Sequence, residues 1–250
     1  MLRSVVIFCA LCVVAFGAPQ RIVNGTDAKE GQYPYVVSVR RREFKSHTCG
    51  GSILNENWIL TAAHCVYRYS VDAFSVQYGV TKISENGDTI VNVKNFFIHE
   101  DYDPFDSFVN DIAVLQLEHP LVFNKFVQPI ALAKNYSQAV HETPATLVGW
   151  GVNATGEIQE HLQQLHYQIV GWKECAKIHI SEIYETHICA AFPGYGKAQC
   201  SGDSGGPLTV NGAQVGIVSW SEKPCGIARY PGVFTQVSFY RDWIRNKTGV

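Results

Sequence analysis

The chain has 250 residues, 46% of them hydrophobic and 17% charged, with a formal net charge of -2. That composition excludes a long disordered or collagen-like protein, and the near-neutral balance without a basic tract argues against a nucleic-acid partner. The length fits one large domain or two small ones sharing a cleft.

At the start, Arg3 precedes the apolar run 5–16, and Ala15 and Gly17 stand at the two small positions that a signal peptidase prefers. A signal peptide over 1–17 and a propeptide over 18–21 are therefore expected. The run is short for a bilayer, and no later segment approaches the ~20 apolar residues a span requires. A secreted, extracellular protein without membrane association follows as the expectation. Residues 1–21 hold two of the 20 basic side chains and none of the 22 acids, so processing makes the chain more acidic. Next come Arg21 and then Ile22-Val23-Asn24-Gly25, which reads either as a loop or as a processing site.

Runs of β-branched and aromatic residues follow at 33–39, 50–54, 58–61, 75–78, 89–98 and 112–117, separated by polar turns. A connector over 120–133 contains Pro120 and Pro129. A second series then occupies 145–150, 166–170, 207–210, 214–220 and 232–237. Short strands at this spacing with few helical periods predict an all-β barrel or sandwich architecture in two halves, about 22–128 and 129–250. The end differs: Phe239, Tyr240, Trp243 and Ile244 share one face at helical spacing, which predicts a terminal helix packed on the second half.

Of eight cysteines, Cys9 and Cys12 lie in the signal run, leaving Cys49, Cys65, Cys175, Cys189, Cys200 and Cys225. An even set in a secreted chain predicts three disulfides, among the 15 pairings that six cysteines allow. The mature chain has no short C-x-x-C pair and its histidines show no ligand spacing, so neither a metal nor a cofactor is expected.

Three stretches carry chemistry. Cys200-Ser201-Gly202-Asp203-Ser204-Gly205-Gly206-Pro207 sets one hydroxyl among glycines, where a substrate backbone can approach closely. A serine hydroxyl is a weak nucleophile unless a base, itself oriented by a third group, activates it. His64 in Ala62-Ala63-His64-Cys65 and Asp111 in Asn110-Asp111-Ile112-Ala113-Val114-Leu115 are the candidates for those roles.

Together these residues resemble the chymotrypsin-like (S1 family) secreted serine proteases, arthropod chymotrypsins among them, over 22–244. The resemblance implies two packed antiparallel Greek-key β-barrels with a C-terminal helix and the active site in the cleft between them. It implies Ser204 as nucleophile, His64 as general base and Asp111 as the group orienting it, with the amides of Gly202 and Ser204 forming an oxyanion hole. It pairs Cys49 with Cys65, Cys175 with Cys189 and Cys200 with Cys225. It also makes Arg21-Ile22 the activation bond, whose new ammonium at Ile22 would pair with Asp203.

In that family, the residue six before the nucleophile lies at the pocket bottom, where an aspartate selects Arg or Lys. Here it is Ala198, with Gly232 on the opposite wall and Ser219, Trp220 and Ser221 toward the mouth. An open uncharged slot implies cleavage after large apolar or aromatic residues. Gln199 has the length to reach into the slot and shorten it, and Glu222-Lys223-Pro224 before Cys225 changes the rim. An elastase-like preference for smaller residues is the alternative, as is a secreted homologue that binds without catalysis. An esterase is disfavoured because Ser204 lacks the strand-to-helix elbow of that class and the chain order His64, Asp111, Ser204 differs from its order. Because the activation bond follows Arg21 and the pocket has no acid, a separate trypsin-like activator is expected. Protein substrates and protein inhibitors complete the partners of a digestive monomer. The loop 79–90 has Val80 at the first calcium-ligand position of the family, so no calcium site is expected. Sequons stand at Asn24, Asn135, Asn153 and Asn246.

Overall fold

The computed structural model describes residues 25–84, 89–153, 155–194, 198–225 and 230–250. The expected signal peptide and propeptide, with Arg21, Ile22 and Asn24, lie outside them. A two-residue strand, β1 (Thr26–Asp27), is the first element of the described residues. The first barrel is built from β2 (Val36–Arg41), β3 (Ser46–Asn55), β4 (Trp58–Thr61), β5 (Phe74–Gln77), β6 (Ile90–Ile98) and β7 (Ala113–Leu117), closed in the order β2-β3-β4-β7-β6-β5. After a short β8 (Ala131–Leu132) the second barrel takes β9 (Pro144–Gly149), β10 (Gln163–Val170), β11 (His187–Ala191), β12 (Pro207–Val210), β13 (Ala213–Trp220) and β14 (Gly232–Gln236). Its order is β10-β11-β14-β13-β12-β9, and β9 pairs back onto β10 to close it. β1 extends β10 antiparallel, and β8 joins β13 in parallel. Two closed antiparallel barrels are thus the observed form of the two expected halves.

Alternation builds these barrels. In β10, Leu165, Tyr167 and Ile169 face inward while His166 and Gln168 face out, as a half-buried strand of period two requires. Leu147, Leu165, Ile188, Leu208 and Phe234 meet in the second core, and Ile53, Ile59, Leu60, Phe74 and Leu115 in the first. Each such fully buried side chain contributes about 1.5–3 kcal/mol. Barrel closure also removes exposed strand edges.

Besides the two-residue strands β1 and β8, the strand β11 and the seven-residue helix α1 (Trp172–Ile178) were not read from the sequence. The terminal helix also departs from expectation. Val237–Tyr240 form a 3-10 turn and α2 spans Arg241–Thr248. The helix packs on the first barrel, not on the second half. Val237, Tyr240 and Ile244 join the core cluster of Ile112, Val114 and Leu115. Trp243 Nε1 donates to Glu100 Oε2 at 2.8 Å, and Lys247 pairs with Glu100 Oε1 at 2.6 Å. The apolar face was legible, but the 3-10 turn carries it across to the other barrel.

Three disulfides are present, Cys49–Cys65, Cys175–Cys189 and Cys200–Cys225. No helix among the described residues is long and apolar enough to cross a membrane.

Candidate active site

The register of the first barrel brings two predicted residues together. β4 and β7 are antiparallel with Thr61 opposite Ala113, so the chain leaving β4 runs beside the chain entering β7. His64, in the 3-10 turn Ala63–Cys65, therefore meets Asp111. His64 Nδ1 lies 2.7 Å from Asp111 Oδ2, and the His64 amide donates to Oδ1 at 2.9 Å. Since a carboxylate only accepts, Nδ1 carries the proton, and in the neutral ring Nε2 is left as a free base.

Asp111 is fully buried and held from the second barrel as well. Ser219 Oγ donates to Oδ2 at 2.6 Å, and Thr235 Oγ1 donates to the Asp111 carbonyl at 2.8 Å. Ser219 reaches Asp111 because the β13–β14 register shifts between Val218 and Trp220, a bulge that re-aims this side chain. The segment before Asp111 is strained: Ser107, Phe108 and Asn110 hold left-handed backbone at φ 48°, 55° and 59°. Such conformations cost non-glycine residues roughly 1–2 kcal/mol each. They are held by Trp220 Nε1 donating to the Ser107 carbonyl at 3.0 Å and Tyr240 Oη donating to Asn110 Oδ1 at 2.9 Å. The result turns the Phe108 ring edge-on to His64 at 5.9 Å. Burial pulls the His64 pKa down, but the Asp111 charge and hydrogen bond lift it, and the net shift is upward from 6.5.

Ser204 and His64 line the same cleft of about 200 Å³, together with Phe108, Gln199, Cys200, Ser201, Val218, Ser219, Trp220, Ser221 and Lys223. Ser204 Oγ and His64 Nε2 are not hydrogen-bonded to each other. Among the described residues, the amides of Gly202 and Ser204 also have no acceptor, whereas those of Asp203, Gly205 and Gly206 do. Two unspent N–H donors thus flank the Ser204 hydroxyl. Gly202 adopts φ +94°, and a Cβ there would stand 3.0 Å from Ile158 Cδ1 and 3.2 Å from Gly151 Cα, so glycine is required on both counts.

Asp203 is fully buried. Its carboxylate accepts from the Gly151 amide at 2.8 Å and the Cys200 amide at 2.9 Å. Burial nevertheless pushes its pKa up to about 6, against the lowering effect of those two bonds.

Ala198 and Gly232, expected at the bottom and wall of the pocket, are not among the residues lining the cleft. Gln199 intervenes. Its side chain is 1% exposed and lies so close to Gly232 that a Cβ on Gly232 would collide with the carboxamide. Tyr167 Oη donates to Gln199 Oε1 at 3.0 Å and accepts from the Gln199 amide at 2.7 Å. Lys223 stands at the rim, its Nζ 3.2 Å from Ser201 Oγ.

The sequence reading missed Tyr167, Thr235 and His47. His47 is buried, with Nε2 donating to the Gly202 carbonyl and Nδ1 facing Ser38 Oγ, both at 2.8 Å. A carbonyl accepts only, so Nε2 holds the proton and Ser38 donates to Nδ1. Burial lowers the His47 pKa to about 4. The Cys200–Cys225 and Cys49–Cys65 bridges brace the segments carrying Ser204 and His64. Both sulfurs near His64 are used in that second bridge, so the grouping Cys49, His64 and Cys65 offers a metal no thiolate. Of the sequon asparagines described, Asn135 and Asn246 are exposed, while Asn153 Oδ1 is engaged by the Thr155 and Glu157 amides.

The sequence matches the family described as "Trypsin" over residues 22–244. It is 38% identical to trypsin beta of Drosophila erecta, covering 98% of this chain and 99% of the relative. It is also 38% identical to trypsin of Sarcophaga bullata over 98% and 97%, and to trypsin-1 of Astacus astacus over 90% and 98%. With two closed barrels, the Asp111–His64 pair, His64 and Ser204 lining one cleft, and matches of this extent, the chain belongs to the trypsin family of serine proteases.

Proposed function

We propose that this protein is a secreted digestive serine endopeptidase, made as a precursor and activated by cleavage between Arg21 and Ile22. The observation that carries the catalytic reading is that Ser204 lines one cleft with His64 and has two unspent amides next to it. In this reading Ser204 Oγ attacks the scissile carbonyl as His64 Nε2 takes its proton. Asp111 holds the imidazole tautomer and stabilises the imidazolium, and the Gly202 and Ser204 amides receive the oxyanion. His64 then returns the proton to the leaving amine. A missing donor of this kind costs about 2.7–4 kcal/mol in the transition state.

Activation acts on Asp203. A new ammonium at Ile22 would give this buried carboxylate the counter-charge that its two amide bonds do not supply. Since an α-amino group titrates near pH ~8, activity fades on the alkaline side as that ammonium deprotonates. An Arg21→Gln precursor that stays uncleaved yet is fully active would contradict this.

The relatives are named trypsins, but Ala198 in place of an acid supports cleavage after uncharged side chains, large apolar and aromatic ones in the first reading. The position of Gln199 favours the second, a shallower pocket for smaller residues. For the same reason a separate trypsin-like enzyme is the activator, and protein substrates and protein inhibitors are the partners. Fluorophosphonate labelling before and after trypsin treatment tests the whole: only the cleaved protein should label, at Ser204. Absence of labelling after cleavage would favour a non-catalytic binding homologue. A peptide panel varied at the residue before the scissile bond then decides between the two pockets.

A further inference from the structure

Between Asp106 and Asp111 the first barrel offers a run of backbone carbonyls, and all but one have a donor. The Asp106 carbonyl accepts from the Val109 amide, that of Val109 from the Asp103 amide and that of Asn110 from the Ile112 amide. The second barrel takes two more, Trp220 Nε1 donating to the Ser107 carbonyl and Thr235 Oγ1 to that of Asp111. Among the described residues, nothing donates to the Phe108 carbonyl. Yet Phe108 holds left-handed backbone at φ 55° and sets its ring edge-on to His64 at 5.9 Å.

His187 is the complement of that carbonyl. It stands opposite Thr235 in the β11–β14 ladder, and residues paired in this way put their side chains on one face. Thr235 already reaches Asp111 from that face. His187 is 1% exposed, and its Nδ1 accepts from the Tyr184 amide at 3.2 Å, so the proton of the neutral ring sits on Nε2. That Nε2–H is buried without a hydrogen-bond partner, and the Phe108 carbonyl lies before it. Tyr184, which fixes this tautomer, also donates from Oη to Asp106 Oδ1 at 2.7 Å, tying the start of the same segment to the second barrel. A buried donor left without a partner costs free energy, and one bond to this carbonyl removes the cost. We propose that His187 is a positioning residue: in the working enzyme its Nε2–H takes the Phe108 carbonyl and so seats the Phe108 ring against His64. The inference rests on the endopeptidase reading and adds a second-barrel residue that sets the surroundings of the general base.

The test compares His187→Leu, which keeps the bulk and loses the donor, with His187→Gln, which keeps an N–H at similar reach, in the trypsin-activated full chain. In His187→Leu, kcat should fall roughly 3- to 10-fold, the range that one hydrogen bond spans. The acid limb of kcat/KM should also move to higher pH, because a ring that swings away lets water reach His64, whose pKa burial holds down. His187→Gln should restore both. In a Phe108→Ala background, adding His187→Leu should move neither kcat nor the limb further. A His187→Leu enzyme with the parent's kcat and limb, or one whose losses add in full to those of Phe108→Ala, overturns the proposal. Should the activated protein cleave nothing, the endopeptidase reading falls by itself. NMR spectra of the trypsin-treated full chain, isotope-labelled at histidine nitrogens and phenylalanine carbonyls, then decide without turnover and without the leucine variant. A slowly exchanging His187 Nε2–H with coupling across the bond to the Phe108 carbonyl upholds the contact. A ring protonated at Nδ1, or the absence of that coupling, overturns it.

Discussion

Gln199 occupies the space in front of Gly232, its carboxamide locked by Tyr167 Oη on one face and against the glycine backbone on the other. The buried phenol both donates and accepts in this lock, so the floor of the cleft is fixed by a pair and not by one residue. Gln199→Ser should deepen the pocket and shift relative kcat/KM from Ala and Val toward Phe and Tyr before the scissile bond by 10-fold or more, the ~1–3 kcal/mol a methylene or two is worth in such a slot. Tyr167→Phe should shift it the same way and less, since it frees the carboxamide without removing it. An unchanged substrate ranking in both variants would mean that Gln199 does not limit depth.

Asp111 and Ser219 form one of the bonds that couple the barrels at the site, Ser219 Oγ donating to Oδ2 at 2.6 Å. As the proposed general base His64 must be neutral to act, and Asp111 raises its pKa from 6.5 in spite of burial. The acid limb of the kcat/KM profile should therefore have its midpoint above 6.5, with activity lost as pH falls through it. Asp111→Asn removes the raising influence, so the limb should move to lower pH while kcat drops by about 10⁴, the effect of holding the wrong imidazole tautomer. A limb that stays in place would show that another group governs it.

His64, Asp111 and Ser204 could be read from the sequence because each sits in a contiguous, recognisable flank. What could not be read are partners whose chemistry depends on distant strands. Tyr167 meets Gln199 across 32 residues, Thr235 meets Asp111 across 124 and His47 meets Gly202 across 155. No local pattern marks a tyrosine in an alternating strand as the latch of a pocket, nor a histidine in β3 as the holder of a glycine carbonyl. α1 is seven residues long, too short to show a helical period, and His187–Ala191 is a strand with only five. The bulge at Ser219 is likewise invisible until β13 and β14 are in register.

Buried His47 makes stability depend on pH with a definite sign. Its folded pKa is about 4 against an unfolded 6.5, so the unfolded chain binds more protons between those values and stability falls as pH drops through that window. The full loss is on the order of 3 kcal/mol. Asp203 acts oppositely: raised to about 6 from 3.8, it makes the folded precursor bind the extra proton, so stability rises as pH falls from 6 toward 3.8. His187, lowered to about 4, reinforces His47. Urea unfolding of the precursor at pH 4 to 7 should show a net acid loss, and His47→Gln should flatten it. On the proposed activation, in which the Ile22 ammonium would neutralise Asp203, the cleaved protein should lose stability more steeply than the precursor. Identical slopes in the two forms would argue that Asp203 gains no partner on cleavage.

The C-terminal helix supports the barrel from which it is most distant in sequence. Ile244 is fully buried in the same cluster as Ile112, Val114 and Leu115, the strand that follows Asp111. Tyr240, one turn earlier, reaches the Asn110 side chain and so braces the strained approach to Asp111. Ile244→Ala leaves a cavity there and should cost about 2–5 kcal/mol. Because the lost contacts belong to the first barrel, amide exchange should accelerate in β7 and β4 ahead of β11 and β14, and kcat should fall as Asp111 loses its support. Exchange that speeds first in β14 would assign the helix to the second barrel. A Tyr240→Phe variant separates packing from bracing: it keeps the ring in the core and removes only the bond to Asn110. It should leave the melting temperature within a few degrees of the parent, since one hydrogen bond is worth about 0.5–1.5 kcal/mol, while still lowering kcat.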